Sequence, residues 1–245
     1  MDVGSATDVG RVREANEDSM LVLQPDGERK GELLVAVADG MGGHKAGEVA
    51  SALAVLALRQ AMDAADARAT PDALLKDAVQ LGNRTIFDAA AEDIEKDGMG
   101  TTLVCALIDS EGRVVIANVG DSRAYAYLGG FVTLITVDHT WVNQQVMAGE
   151  MTQREARVSP FRNLLTRTLG NAPEVEPDLF PDLQLEAGDG LILVSDGVTG
   201  YLDESDFTAV MAETASAQAA AARLVEEAVS RGGADNATAI VVRRR

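Results

Sequence analysis

Sulfur and imidazole are scarce in this chain, with Cys105 its only cysteine and His44 and His139 its only histidines. A single thiol excludes an internal disulfide and any cysteine-based zinc site, and two histidines leave no room for an imidazole-rich one. Cys105 lies inside the apolar stretch 103–108, which marks it as a buried, inert thiol. Basic residues are also in deficit: 21 Lys and Arg stand against 39 Asp and Glu, a formal net charge of −18. Such an acidic surface is a poor match for a phosphate backbone, so no nucleic acid partner is expected. The short basic cluster 243–245 reads as a solvated end. Long apolar runs are missing too, none approaching the ~18 residues that suggest a membrane span. The stretch up to Arg13 lacks the apolar core of a signal peptide. These absences lead to the expectation of a cytoplasmic protein with no direct membrane insertion.

What is present is enough to bury a large core, since 47% of the 245 residues are hydrophobic. No internal repeat, low-complexity segment or linker divides the chain, so residues 1–245 are expected to form one domain. Strands are expected at 19–23 and 33–38, joined through a turn at Pro25-Asp26-Gly27. Residues 45–64 read as a helix with Val49, Leu53, Leu56 and Gln60 on one stripe. A second helix starts at Thr70-Pro71, an N-cap followed by proline, and its pattern runs to about Lys96. Four strands then follow at 101–109, 113–119, 123–128 and 131–136, and the short turns between them imply antiparallel neighbours. Residues 140–170 are more polar and partly helical, with a capping box from Thr152 to Glu155, and read as an excursion over the core. A strand at 191–195, two helical segments within 203–231 and a closing strand at 237–243 complete the pattern. Strands in groups and helices in pairs predict an α+β fold, two antiparallel sheets packed face to face with helix pairs outside.

The chain is organised around Asp39-Gly40-Met41-Gly42-Gly43-His44, directly after the apolar run 33–38. Asp-Gly after a strand is commonly a plain turn. A phosphate cradle is a rival reading, but Lys45 stands at the third glycine position of G-x-G-x-x-G and the Walker spacing is absent. A third reading is a carboxylate at a strand mouth, with backbone carbonyls beside it, holding a metal ion. The rest of the chain favours the third. Glu17 and Asp18 precede one strand, Asp39 ends another, and Asp121 and Asp196 each follow a strand, while Asp235 precedes the last. Any one of them alone is a cap or a solvated turn residue. Together they suggest convergence, and converging carboxylates repel unless protonated or bridged by hard cations such as Mg²⁺ or Mn²⁺.

Six blocks carry a resemblance: 13–18 (Arg-Glu-Ala-Asn-Glu-Asp), 39–44, Gly100-Thr101-Thr102, Gly120-Asp121-Ser122-Arg123, Ser195-Asp196-Gly197 and 233–238 (Gly-Ala-Asp-Asn-Ala-Thr). In this order they resemble the metal-dependent (PPM, type 2C) serine/threonine protein phosphatases of bacteria. The resemblance implies a four-layer αββα sandwich and hydrolysis of phosphoserine or phosphothreonine by water or hydroxide bridged between two Mg²⁺ or Mn²⁺ ions. It implies that Asp39 bridges the two ions, that Asp196 and Asp235 complete one, and that the Gly40 carbonyl serves the other. Glu17 and Asp18 would act largely through bound water, Asp121 would serve a third, more weakly held ion, and Arg13 would grip phosphate oxygens. His44 is the candidate proton donor to the leaving alkoxide, with His139 a second candidate. Phosphorylated proteins, and a serine/threonine kinase acting on the same substrates, are the implied partners.

Two departures from the family pattern stand out. Gly200 occupies a position where many relatives carry an acid, and Ser159-Pro160 replaces a usual His-Pro within the segment 139–167, which corresponds to the family's flap. The alternative is a catalytically weak or inactive regulator that uses the same fold to bind a signalling partner; the intact set of acids counts against it. An aspartyl-nucleophile phosphohydrolase would show D-x-D after an apolar strand, and Asp196 is followed by Gly197 and Val198.

Overall fold

The computed structural model of the chain describes residues 1–24, 29–42, 46–66 and 68–245. The expected turn at Pro25-Asp26-Gly27 and the side chain of His44 lie outside these residues.

One sheet holds, in spatial order, β1 (Asp2–Asp8), β11 (Ala237–Arg243), β10 (Gly190–Val194), β7 (Arg123–Leu128) and β8 (Phe131–Leu134). The other holds β2 (Asp18–Leu23), β3 (Leu33–Met41), β5 (Leu103–Ile108), β6 (Arg113–Val119) and β9 (Asp178–Gln184), with the short β4 (Gly100–Thr101) paired to the end of β3. All the named pairings are antiparallel. In the first sheet the earliest and latest strands are neighbours, Asp2 opposite Arg243 through to Asp8 opposite Ala237.

Strand side chains alternate between faces, and here both faces are covered. Leu33, Val35 and Val37 of β3 meet Leu191 and Leu193 of β10 and Ile240 of β11 between the sheets. Leu34, Ala36 and Ala38 turn the other way, onto α1 (Ala46–Ala64) and α2 (Pro71–Glu92). In the first sheet Ile192, Val194, Ala239 and Val241 face α6 (Glu204–Glu213) and α7 (Ala217–Arg231). Three apolar layers therefore separate four structural ones, the helix–sheet–sheet–helix sandwich that the sequence implied.

The structure corrects several details. The buried line of α1 is Ala50, Ala54, Ala57, Leu58 and Met62, whereas Leu56 is 47% exposed and Val49 and Leu53 are only partly buried. Small side chains let this helix lie close to the sheet, so the alanines rather than the bulkier stripe form the contact. β3 continues past Ala38 to Met41, because Gly40 and Met41 pair with Thr101 and Gly100. Asp39 is thus held within a ladder, opposite Asp18, and is not released by a turn. The second helix ends at Glu92, and a separate 3-10 turn at Ile94–Lys96 is capped by Asp93. Two strands were not anticipated. β1 is a strand by pairing with β11 although it carries Gly4, Ser5, Ala6 and Thr7, and β9 tolerates Pro181 because it lies at a sheet edge.

Candidate active site

The acids singled out in the sequence lie at one end of the sandwich, each fixed by its own strand or turn. Asp39 is fastened through its backbone: its N–H donates to Thr102 Oγ1 at 3.0 Å, and its carbonyl accepts from Thr102 N and Thr101 Oγ1, both at 2.9 Å. The next residue donates its N–H to the Glu17 carbonyl at 3.2 Å. A Cβ at Gly40 would fall on the backbone of Gly47 in the first turn of α1, so only glycine permits helix and strand to approach here.

Asp18 opens β2 and joins the two sheets. Its Oδ2 accepts from Ser195 Oγ at 2.8 Å and from Thr238 Oγ1 at 2.6 Å, while its buried Oδ1 has no hydrogen-bond partner. Asp196 is the first residue of the short α5 (Asp196–Thr199). Gly197 behind it presses on the carbonyl of Asn236, where a Cβ would overlap, and this contact draws the 195–197 turn against Asp235. The side chain of Asn236 in turn secures the loop leading into β2: Nδ2 donates to the Val9 and Ala15 carbonyls, each at 2.9 Å, and Oδ1 accepts from Glu17 N at 2.8 Å. That loop carries Arg13, half-exposed, whose guanidinium donates to Asp235 Oδ2 at 2.8 Å. Glu14 and Glu17, the partners a surface arginine would be expected to choose, do not take it.

Burial and like charge act together on this cleft. Desolvation is the main cause at Asp39, with repulsion from Asp18, Asp196, Asp121 and Asp235 added, and its carboxyl is raised well above the ordinary range. Burial also pushes Asp18 up to about 7 against two opposing hydroxyl hydrogen bonds. Asp121 rises to about 7 through burial and the charges of Asp196 and Asp138. Asp196 is raised by burial and by Asp235, and a hydrogen bond shared with Asp39 opposes the rise. Glu17 is raised by burial, with Arg13 pulling the other way. Among the described residues no three of these side chains stand as a ready-made ligand cluster; they converge on a cleft without closing on one point. Carboxylates so placed must hold protons or share cations. An all-oxygen donor set and an orphaned buried carboxylate oxygen at Asp18 fit hard divalent cations.

His139 does not face the acids. Its Nδ1 accepts from Gly120 N at 3.0 Å, and Nε2 stands 3.1 Å from Asp178 Oδ2. Burial lowers its pKa, and an Nδ1 that accepts from a backbone N–H carries no proton, so the ring braces the turn before Asp121 with both nitrogens engaged away from a substrate. The segment 139–167 leaves and returns as a stem, with Thr166 N donating to the His139 carbonyl and Trp141 N to the Leu164 carbonyl, both at 2.8 Å. Between them lie α3 (Trp141–Met147) and α4 (Gln153–Val158), the latter with the expected capping box. Ser159 caps the end of α4 and its Oγ accepts from Phe161 N at 3.2 Å. Gly200 ends α5, its N–H donating to the Asp196 carbonyl at 2.8 Å.

The residues that sequence reading left without a role are the small polar ones beside the acids. Thr102, Ser195, Asn236 and Thr238 are all buried. Their signal was a polar residue at the end of an apolar strand, where burial requires a hydrogen-bond partner.

A helix–sheet–sheet–helix sandwich with an oxygen-only cleft at the strand ends is an arrangement suited to metal-dependent hydrolysis of phosphate esters. Comparison with known proteins agrees. Residues 11–230 match the family described as protein phosphatase 2C. The serine/threonine phosphatase stp of Listeria monocytogenes is 36% identical over 241 residues, 97% of this chain and 94% of that protein. The solved serine/threonine phosphatase of S. agalactiae superposes with a TM-score of 0.91 at 33% identity, covering 100% of this chain and 99% of the other. The catalytic domain of the serine threonine protein phosphatase PstP, solved in complex with 2 manganese ions, gives 0.83 at 36% identity over 98% of this chain and 96% of that one. The chain belongs to the protein phosphatase 2C family.

Proposed function

We propose that the strand-end cleft hydrolyses phosphoserine and phosphothreonine esters of proteins with the help of two Mg²⁺ or Mn²⁺ ions. The observation that carries this reading is the concentration of Asp18, Asp39, Asp121 and Asp196 in a cleft where burial and mutual repulsion raise every one of their pKa values. Asp39, Asp196, Asp235 and the Gly40 carbonyl would hold the two ions, Glu17 and Asp18 would act largely through bound water, and Asp121 would serve a third. When bound, such ions acidify water and neutralise phosphate oxygens.

The chain's own residues supply the rest. Arg13 stands at the mouth, half-exposed on Asp235, and a guanidinium there suits two phosphate oxygens at once. The backbone ties of Asp39 to Thr101 and Thr102 keep its carboxylate from retreating as charge changes around it. His44 as proton donor to the leaving oxygen belongs to the same proposal and lies outside the described residues. Residues 1–245 would act as one catalytic domain. Protein phosphorylation draws on intracellular ATP, so we place the enzyme in the cytoplasm, opposite a kinase that modifies the same proteins.

The test is hydrolysis of a phosphothreonine peptide by metal-stripped protein, with Mn²⁺ or Mg²⁺ restored, for the wild type and Asp39→Asn in parallel. Phosphate release that requires the metal and collapses in the variant is expected. A folded wild type inert with both metals on several phosphopeptides would leave the partner-binding regulator as the better reading.

A further inference from the structure

A groove of about 510 Å³ opens beside the cleft, with Met41, two residues beyond Asp39, in its lining. One wall is the return of the 139–167 segment, which presents Leu164 and Arg167; the other is the stretch carrying Glu174, Val175 and Glu176. That second wall is stapled to α2 by three side chains one helical turn apart. Lys76 pairs with Glu176 at 2.6 Å, Gln80 Nε2 donates to the Val175 carbonyl, and Asn83 Nδ2 donates to the Ala172 carbonyl at 2.9 Å. The groove is therefore preformed, and its volume falls in the range of specific ligand sites.

Its charges are unequal in what they have left to offer. Arg167 already donates to Asp178 Oδ1 at 2.5 Å and to the Glu176 carbonyl at 3.0 Å, and Glu176 is occupied by Lys76. Glu174 is exposed and has no ion-pair or hydrogen-bond partner among the described residues. Around it Leu164, 51% exposed, and Met41 offer apolar surface. A long basic side chain suits that combination, its methylenes along the apolar lining and its charged head at the carboxylate. An occupant can also be continuous with a group in the cleft, because Met41 belongs to the strand that bears Asp39.

We propose that this groove receives the polypeptide flanking the phosphorylated residue, and that Glu174 selects a lysine or arginine in that flank. The inference rests on the phosphatase reading above. An exposed pair of opposite charges is a weak interaction, so the selection is modest, about threefold, and it fades as salt screens it.

The experiment measures kcat and KM on phosphothreonine peptides that differ only in one flanking residue, lysine, alanine or glutamate, walked through successive positions. Wild type, Glu174→Gln and Glu174→Lys are compared, and the readout in each is the ratio between the lysine and alanine peptides, so that any general change in activity cancels. Expected is a lysine preference of about threefold in the wild type, expressed in KM and weakened by salt, lost in Glu174→Gln and turned toward glutamate in Glu174→Lys. A preference that survives both substitutions, or a wild type indifferent to flanking charge while it turns over para-nitrophenyl phosphate, overturns the assignment of the groove. A wild type that hydrolyses neither the small ester nor any peptide overturns the phosphatase reading and the groove with it.

Discussion

In the cleft, Asp18 is bound by two hydroxyls from the opposite sheet, Asp39 is fastened through its backbone to Thr101 and Thr102, and Asp235 is paired with Arg13. The 139–167 segment beside it meets solvent with Met147 73% exposed, Val158 78% and Phe161 54%. The first region concentrates like charge where small displacements change every neighbour's ionisation. The second is fixed at its stem and otherwise presents surface. On the proposed function, the former would do the chemistry and the latter would meet varied polypeptides.

The sharpest way to break this contrast is at Asp39. Asp39→Asn is expected to cut turnover by about a thousandfold or more with the fold intact, since one electrostatic group is removed from the reacting centre; circular dichroism and phosphate release measure the two halves of that statement. Asn236→Ala strands the Val9 and Ala15 carbonyls and the Glu17 N–H, and should lower unfolding free energy by about 2–4 kcal/mol in chemical denaturation. A loss well below that would mean the cleft is less firmly tied than its hydrogen bonds imply.

Ionisation gives a third handle. A carboxyl at about 7 in the folded chain, as at Asp18 and Asp121, against the ordinary 3.8 holds a proton that the unfolded chain has already lost. The stability from these groups is full below about pH 4 and declines as pH rises toward about 7. Without divalent cations, the thermal midpoint is expected to be higher near pH 5 than near pH 7.5, and Mn²⁺ should shrink the difference. A midpoint that rises with pH over that interval contradicts the repulsion described for the cleft. The smallest effect is expected in the 139–167 segment. Phe161→Ala removes an edge-to-face contact with Trp141, centroids 5.5 Å apart, and should cost about 0.5–1.5 kcal/mol at most, with turnover of a small phosphate ester nearly unchanged.

The grouping of the acids was legible because carboxylates recur at strand ends, with Gly40, Gly120 and Gly197 marking close approaches or turns beside them. Strands such as 113–119, 123–128 and 237–243 were legible because buried runs bounded by turn residues leave few options. β1 was hidden, since Gly4, Ser5 and Thr7 become a strand only through the edge that β11 offers. The hold of Asn236 on residues 9–17 spans more than two hundred positions of sequence and has no local signature. The groove wall was hidden for the same reason, because it exists only once α2 and the 170–176 stretch meet.

The pairing of β1 with β11 has a consequence for a chain made from one end to the other. The loop bearing Arg13 and Glu17 leaves the ribosome more than two hundred residues before the strand and the asparagine that seat it. A nascent chain halted before residue 236 would carry most of its acids and still lack the seating of that loop, so competence should arrive abruptly once that residue has emerged rather than grow with length.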